Sequence, residues 1–337
     1  MAKSVLGRLG RALVRPQTAP PTVLLGAALM PSLVAGLLLF RVPAVEILAL
    51  ALVIGGVAHL AARRLNLRAA PLLAALIGVA FIGPGASPLL AALVALVGSL
   101  LELGRARVAP SLRLQTGLLA YVAALLVAGG LVTLYVNPGT GSPMAEPIRL
   151  WQGLNGGQSP IDPIQLYVGN VAGPVFATSL LAVVLGAAWL WYARRLSLLA
   201  LAAFSAGALA PMIYFRWPLS LQLISGPLWF AGALILANRS YLPDSRIGQL
   251  PAGLAAGLLS MMARSRGLAI ESVMEATLLV QLVAAGAAAT LSPFTGSRRF
   301  PSPEPPRLPA GRARSARPAA GKRSGKRSGE HPEVRAS

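Results

Sequence analysis

The sequence predicts an all-α polytopic membrane protein of about ten transmembrane helices, arranged as two inverted five-helix halves. Three observations lead there. The 337 residues are 55% hydrophobic and only 12% charged, with a mean hydropathy of +0.67, whereas soluble domains carry about 25% charged residues. The charges also cluster: residues 16–40, 69–101, 163–193 and 276–297 contain no Asp, Glu, Lys or Arg. Runs of ~20 apolar residues cross ~30 Å of hydrocarbon as helices. Finally, basic residues alternate from loop to loop, as they do when a chain crosses a membrane repeatedly.

Taken in order, residues 1–15 form a basic N-terminus, and the long apolar stretch after it has no Ala-x-Ala site. This predicts a retained first span rather than a cleaved signal peptide. The first half, residues 16–136, holds apolar segments at 22–40, 44–62, 69–83, 87–101 and 117–136. A loop at 137–166 follows. The second half, residues 167–293, holds segments at 171–192, 196–214, 219–237, 248–263 and 273–292. The third and ninth are short for a full crossing. Alternate loops divide their Lys and Arg fourteen, among them Arg194, Arg239 and Arg246, to five, among them Arg149 and Arg264, before the tail is added. Basic loops stay in the cytoplasm. Both termini are therefore expected inside, and the 137–166 loop on the outer face.

Residues 294–337 are Pro, Arg, Lys, Ser and Gly-rich and carry 11 Lys or Arg against three Glu, a net +8 of the chain's +20. Such a segment buries too little apolar surface to fold alone. It is expected to be a disordered cytoplasmic tail whose partners are anionic lipid headgroups; nucleic acid is not an expected partner.

An odd number of spans per half gives the halves opposite orientations, the arrangement of transporters whose sites lie where broken helices meet. "FIGPGASP" (81–88) and "RWPLSLQLISGPLW" (216–229) break the third and eighth segments. Two readings stay open: ordinary loops and proline kinks, or a path or site if the breaks lie deep. Gly253 and Gly257 have the spacing of close helix packing. Glu46 and His59 lie near the ends of the second segment, Glu271 and Glu275 near the start of the tenth, and no chain of ionisable groups through the bundle can be drawn from them.

There is no cysteine, which excludes disulfides, thiolate metal sites, cysteine-ligated clusters and thiol catalysis. His59 and His331 are the only histidines, too few for a bis-histidine haem within the spans. No Ser/His/Asp set, phosphate loop or metal-ligand cluster is visible. Between the halves, "NPGTGSPMAEP" (137–147) interrupts an otherwise largely apolar chain, and its Asn-Pro-Gly-Thr-Gly-Ser is turn chemistry.

Several stretches, in order, resemble one family: the NqrB and RnfD membrane subunits of the Na+-translocating NADH:quinone reductase and the Rnf electron-transport complex. They are "APLLAALIGVAFIGPGASPLLAALVALVGSLL" (70–101), "IDPIQLYVGNVAGPVFATSLLAVVLGAAWLWYARRLS" (161–197) and "GPLWFAGALILANRSYLPDSRIGQLPAGLAAGLLSMMARSRGLAIESVMEATLLVQLVA" (226–284). The resemblance implies FMN joined through its phosphate to a hydroxyl in the outer loop between the fifth and sixth spans. "GTGSPMA" (139–145) occupies that place. Ser142 takes the flavin-bearing position, with Thr140 second. Gly141 stands where the family has Ala, Thr140 where it has Gly, and the family's Asp falls near Val136. The family's Asn-Pro-Ala is replaced around Gln115, Thr116 and Gly117, and its Thr-Asp-Pro around Asn238, Arg239 and Ser240.

What the resemblance implies is an electron-relaying membrane subunit in the bacterial cytoplasmic (inner) membrane, coupled to ion translocation, with other subunits of the complex as partners. At most it would be part of an ion-translocating oxidoreductase, without catalytic residues or a metal site of its own. Two alternatives stand beside this: a flavin-less accessory or scaffold subunit of the same family, and a transporter or channel for a small solute.

Overall fold

The computed structural model describes residues 19–154, 161–243 and 245–291, and the side chains of those up to residue 288. The basic N-terminus and the tail from 294 lie outside these residues. The first five spans are α1 (Pro21–Phe40), α2 (Val42–Arg64), α3 (Pro71–Ala80), α4 (Pro88–Val108) and α5 (Thr116–Ala128), the last extended by a 3-10 turn at Gly129–Leu131. Two short helices, α6 (Pro147–Gly153) and α7 (Pro163–Val168), lie in the connecting loop. Then come α8 (Leu180–Tyr192), α9 (Leu198–Tyr214), the single turn α10 (Leu219–Leu223), and α11 (Gly226–Trp229), which runs into a π-helical stretch at Phe230–Leu236. α12 (Arg246–Ser265) and α13 (Glu271–Leu291) complete the chain.

All ten apolar segments are thus helical wholly or in large part, and the described residues are those of a multi-pass membrane protein. α1, α2, α4 and residues 271–288 of α13 are each long and apolar enough to cross a membrane, and shorter apolar helices accompany them. α12 is longer than its apolar segment suggests because both ends carry charge, at Arg246 and Arg264. Helix starts follow local chemistry. Proline occupies the first turn of α1, α2, α3, α4, α6, α7 and α11, where its missing N–H costs nothing. Ser87, Ser179, Ser197 and Ser245 cap α4, α8, α9 and α12 by accepting a backbone N–H.

Related pairs recur in the two sets. α2 packs along α4 and α9 along α12; α4 lies against α5 and α12 against α13; α3 touches α5, and the 230–236 stretch touches α13. The first helices of the two sets, α1 and α8, pack against each other. The α9–α12 contact is made by backbone. A Cβ on Gly253 would stand 2.3 Å from the Ala200 carbonyl oxygen, and one on Gly257 2.1 Å from that of Phe204. The Gly253–Gly257 spacing therefore does what it suggests: it lets two helices touch without side chains between them.

The third-segment break is more than a kink. Residues 81–84 are buried, and their backbone groups bond to two other irregular segments. Gly83 N–H donates to the Val132 carbonyl at 2.8 Å and Gly85 N–H to that of Leu134 at 2.9 Å. From the second half, Val175 N–H donates to the Ile82 carbonyl at 2.9 Å and Phe176 N–H to that of Ala80 at 3.1 Å. Backbone freed from a helix in the membrane survives only when protein supplies partners, and here each half supplies them to the other.

This crossing corrects three boundaries. The fifth helical stretch stops at Leu131, not 136, because the Val132 and Leu134 carbonyls face Gly83 and Gly85. The sixth starts at Leu180, not 171, because residues 171–179 pass through the crossing in irregular conformation. The eighth is interrupted at Ile224–Ser225, with Pro227 unable to supply an N–H to a preceding turn. Phe81 sits at the crossing, its ring 5.3 Å from that of Tyr121 and 5.1 Å from that of Phe230.

Candidate functional site

The loop residues Tyr135–Met144 form a small hairpin. Val136 and Pro143 face each other as an antiparallel bridge. Asn137 N–H donates to the Ser142 carbonyl at 2.9 Å, and Met144 N–H to that of Tyr135 at 3.1 Å. The tip closes through Gly141 N–H to the Asn137 carbonyl at 2.8 Å, while Asn137 Oδ1 accepts from Gly139 N–H at 2.8 Å. Gly141 has φ of 69°, a left-handed value that disfavours the Ala found there in the resembling family. Local turn chemistry is thus enough to explain the fold of this stretch.

Thr140 and Ser142 come together at that tip. Their hydroxyl oxygens are 2.7 Å apart, and both residues are exposed. An exposed hydroxyl meets the one chemical requirement for a phosphoester with FMN, an accessible oxygen nucleophile. A Cβ placed on Gly141 would meet nothing within 4 Å, so the backbone there is open to its surroundings. The two hydroxyls would fit such an attachment.

Directly after the hairpin the chain turns inward. Glu146 is fully buried and caps α6, its carboxylate accepting from Ile148 N–H at 2.7 Å and Arg149 N–H at 2.9 Å. Arg149 pairs with Glu271 of α13 at 3.0 Å. Gln152 donates to the Arg264 and Leu268 carbonyls, each at 3.1 Å. Arg264 is 1% exposed and donates to Gln222 Oε1. The short α6 is therefore stitched to the α12–α13 turn, which Arg264 joins in turn to α10, and it carries the hairpin above a cluster of buried charge.

This cluster corrects the sequence reading. Arg264, counted there as a loop charge, is one of the largest fully buried side chains, and Glu271 is 3% exposed. Arg264 Nε and Nη2, Gln222 Nε2 and Glu271 Oε2 are buried without a hydrogen-bond partner among the described residues. Such groups are costly and specify a site more than they stabilise a fold. The sequence held one usable sign: of only ten acidic residues, Glu146, Glu271 and Glu275 flank connections on this one face, opposite Arg149 and Arg264.

Burial pushes the Glu146 carboxyl up to about 7; the nearby Glu271 charge adds to the rise, and the Ile148 and Arg149 amides and Arg264 oppose it. A folded-state pKa above the ordinary value of 4.5 means that the native state takes up a proton first as pH falls. Its contribution to stability is complete below about 4.5 and lost as pH rises through about 7. The thermal midpoint of the detergent-solubilised protein is accordingly expected to rise from pH 8 to pH 5, by an amount on the order of 1–3 kcal/mol in stability. Glu146→Gln is expected to flatten that slope. An equal slope in the variant would assign it to another group.

At the opposite end of the helices, Glu102 of α4 is 6% exposed and holds the Arg105 guanidinium by two bonds of 2.8 and 2.7 Å. It also accepts from Thr116 Oγ1 and Ala70 N–H, each at 3.1 Å. Gln115 links the two sets of helices, its N–H donating to Gln281 at 3.2 Å and its Nε2 to the Tyr241 hydroxyl at 3.4 Å. Arg113 donates to the Leu242 carbonyl at 2.6 Å. Gln115 and Thr116 stand where the resembling family has Asn-Pro-Ala; here Gln115 ties the halves together, while Thr116 binds Glu102 within the first half. Asn238, at the other departing motif, bridges to Leu196 and accepts Ser240 N–H at 3.0 Å. A cleft of about 430 Å³ opens here, lined by Arg68, Glu102, Arg105, Arg113, Gln115 and Tyr241 among others.

The architecture is thus a helical membrane bundle whose halves exchange backbone bonds at a central crossing, with a hydroxyl-tipped hairpin between them. No individual curated protein matches the chain. A family model does: that of the NQR2, RnfD, RnfE family matches residues 17–286, most of the sequence, and the chain belongs to that family, the membrane subunits of Nqr- and Rnf-type complexes.

Proposed function

We propose that the protein relays electrons within an Rnf/Nqr-like complex of the bacterial cytoplasmic membrane, coupled to ion translocation, and that Ser142 carries FMN on the outer face. The observation that carries this reading is the Thr140–Ser142 hydroxyl pair, held exposed at the tip of a hairpin whose base is anchored in buried charge. A flavin attached there supplies the electron chemistry. The chain's own residues do the rest. Ser142 Oγ is the attachment oxygen, Thr140 Oγ1 orients it, and Glu146 with α6 fixes the hairpin against α12 and α13. The partner subunits supply the electron donor and acceptor.

Coexpression with a flavin transferase, followed by denaturing gel electrophoresis, tests it. A fluorescent band is expected for the native chain and for Thr140→Ala, and none for Ser142→Ala. A dark native band beside a fluorescent positive control rejects the covalent site.

The flavin-less accessory subunit is the second reading, favoured by the open space around Gly141. Its signature is a chain that copurifies with redox subunits yet carries no flavin of any kind.

A further inference from the structure

On the face opposite the hairpin, the connections after α8 and after the 230–236 stretch lie side by side. Leu196 and Asn238 form an antiparallel bridge; Ser197 N–H donates to the Ala237 carbonyl at 2.8 Å and Arg239 N–H to that of Arg195 at 2.9 Å. Ser197 Oγ and Gln249 Oε1 are 2.7 Å apart, which adds α12 to the assembly. Above this floor is a cavity of about 520 Å³, lined by Trp191, Arg194, Ser197, Arg239, Arg246 and Gln249 with three leucines.

Its chemistry is one-sided. Three arginines from three separate segments line it, and no described residue lining the cavity is a carboxylate; Asp244 lies outside the described residues. The backbone bonds hold two of the segments in register, so the cationic groups are gathered by the fold and not merely neighbours in sequence. Arg246 begins α12, a 20-residue helix, whose N-terminal end adds a further partial positive charge. Trp191, which lines the cavity, is 59% exposed, as aromatic rings are where they meet the headgroup layer. Guanidinium forks suit phosphate oxygens, and basic pockets between spans at the cytoplasmic side accept anionic headgroups.

We propose that this pocket binds a phosphate group at headgroup depth, supplied by an anionic phospholipid whose acyl chains lie along α8 beside Trp191. The site shares no residue with the hairpin or with the basic tail.

Native mass spectrometry of the full chain in detergent tests this, with phosphatidylglycerol, phosphatidylcholine and inorganic phosphate as separate additions. One retained phosphatidylglycerol is expected, with phosphatidylcholine unable to replace it. Arg239→Gln/Arg246→Gln is expected to weaken retention by about tenfold or more. Arg239→Lys/Arg246→Lys keeps the charge and is expected to weaken it less. The charge-matched control, Arg63→Gln/Arg64→Gln on α2, should retain the lipid like the native chain. Displacement of the lipid by millimolar inorganic phosphate would support the site and assign it to free phosphate as well. Equal loss in the control and pocket variants would show diffuse surface charge and overturn the proposal, as would undiminished retention in the pocket variant. Circular dichroism and gel filtration of each variant separate loss of the site from loss of the fold.

Discussion

Arg264→Met is expected to lower the thermal midpoint of the purified protein on the order of 10 °C. The side chain is buried between α10, α12 and the loop helix α6, with Glu146 and Glu271 as its nearby negative charges. Its removal leaves Glu146 without an opposing cation and Glu271 with the half-exposed Arg149 alone. Breaking a buried charge set by deleting one partner costs roughly 3–5 kcal/mol, mostly the penalty of the charge left behind. The combined change Arg264→Met with Glu146→Gln should therefore recover part of the loss. If the double variant is less stable than the single one, lost packing and not stranded charge explains the effect. Scanning calorimetry at pH 8, where Glu146 is charged, is the appropriate measurement.

The second large effect belongs to the α9–α12 contact. Gly257→Val is expected to cost more than about 4 kcal/mol and to abolish recovery of folded protein. The reason is geometric: its Cβ would lie 2.1 Å from the Phe204 carbonyl oxygen and 2.7 Å from Ala208 N. Both obstacles are backbone and cannot rotate away, so one of the helices has to move. Gly104 on α4 is the internal control, because a Cβ there meets nothing within 4 Å. Gly104→Ala should leave folded yield unchanged or slightly improved. Fluorescence-detected gel filtration of the two variants, side by side, reads the contrast.

The helices were legible because the membrane imposes a simple rule: long uncharged runs become helices, and proline and serine mark their starts. Gly253 and Gly257 were legible for the same reason, since small residues four apart have few other uses within a span. The central crossing was not. Gly173, Pro174, Thr178 and Ser179 hint at a break within residues 171–179, but nothing local says that Val175 and Phe176 bond to Ile82 and Ala80, more than ninety positions earlier. Pairing across halves is a tertiary fact, and hydropathy averages it away.

The site was legible only at its tip. Asn137, Gly139 and Gly141 announce a turn, and the family resemblance directs attention to Ser142. Beneath it, Glu146 looked like a loop residue and Arg264 like a basic flank. Their burial depends on α6 docking onto the α12–α13 turn, over a hundred residues away. The arginine pocket was hidden in a different way. Arg194, Arg239 and Arg246 each served as evidence for orientation, and only the Leu196–Asn238 bridge brings them around one cavity.

The central claim is that opposed halves put the Ser142 hairpin and the arginine pocket on different sides of the membrane. The chain has no cysteine, so single substitutions can be labelled without background. Ser142→Cys and Arg239→Cys would be treated in intact cells with a membrane-impermeant maleimide. The account predicts labelling of the first at once and of the second only after permeabilisation. Labelling of both from the same side would contradict it.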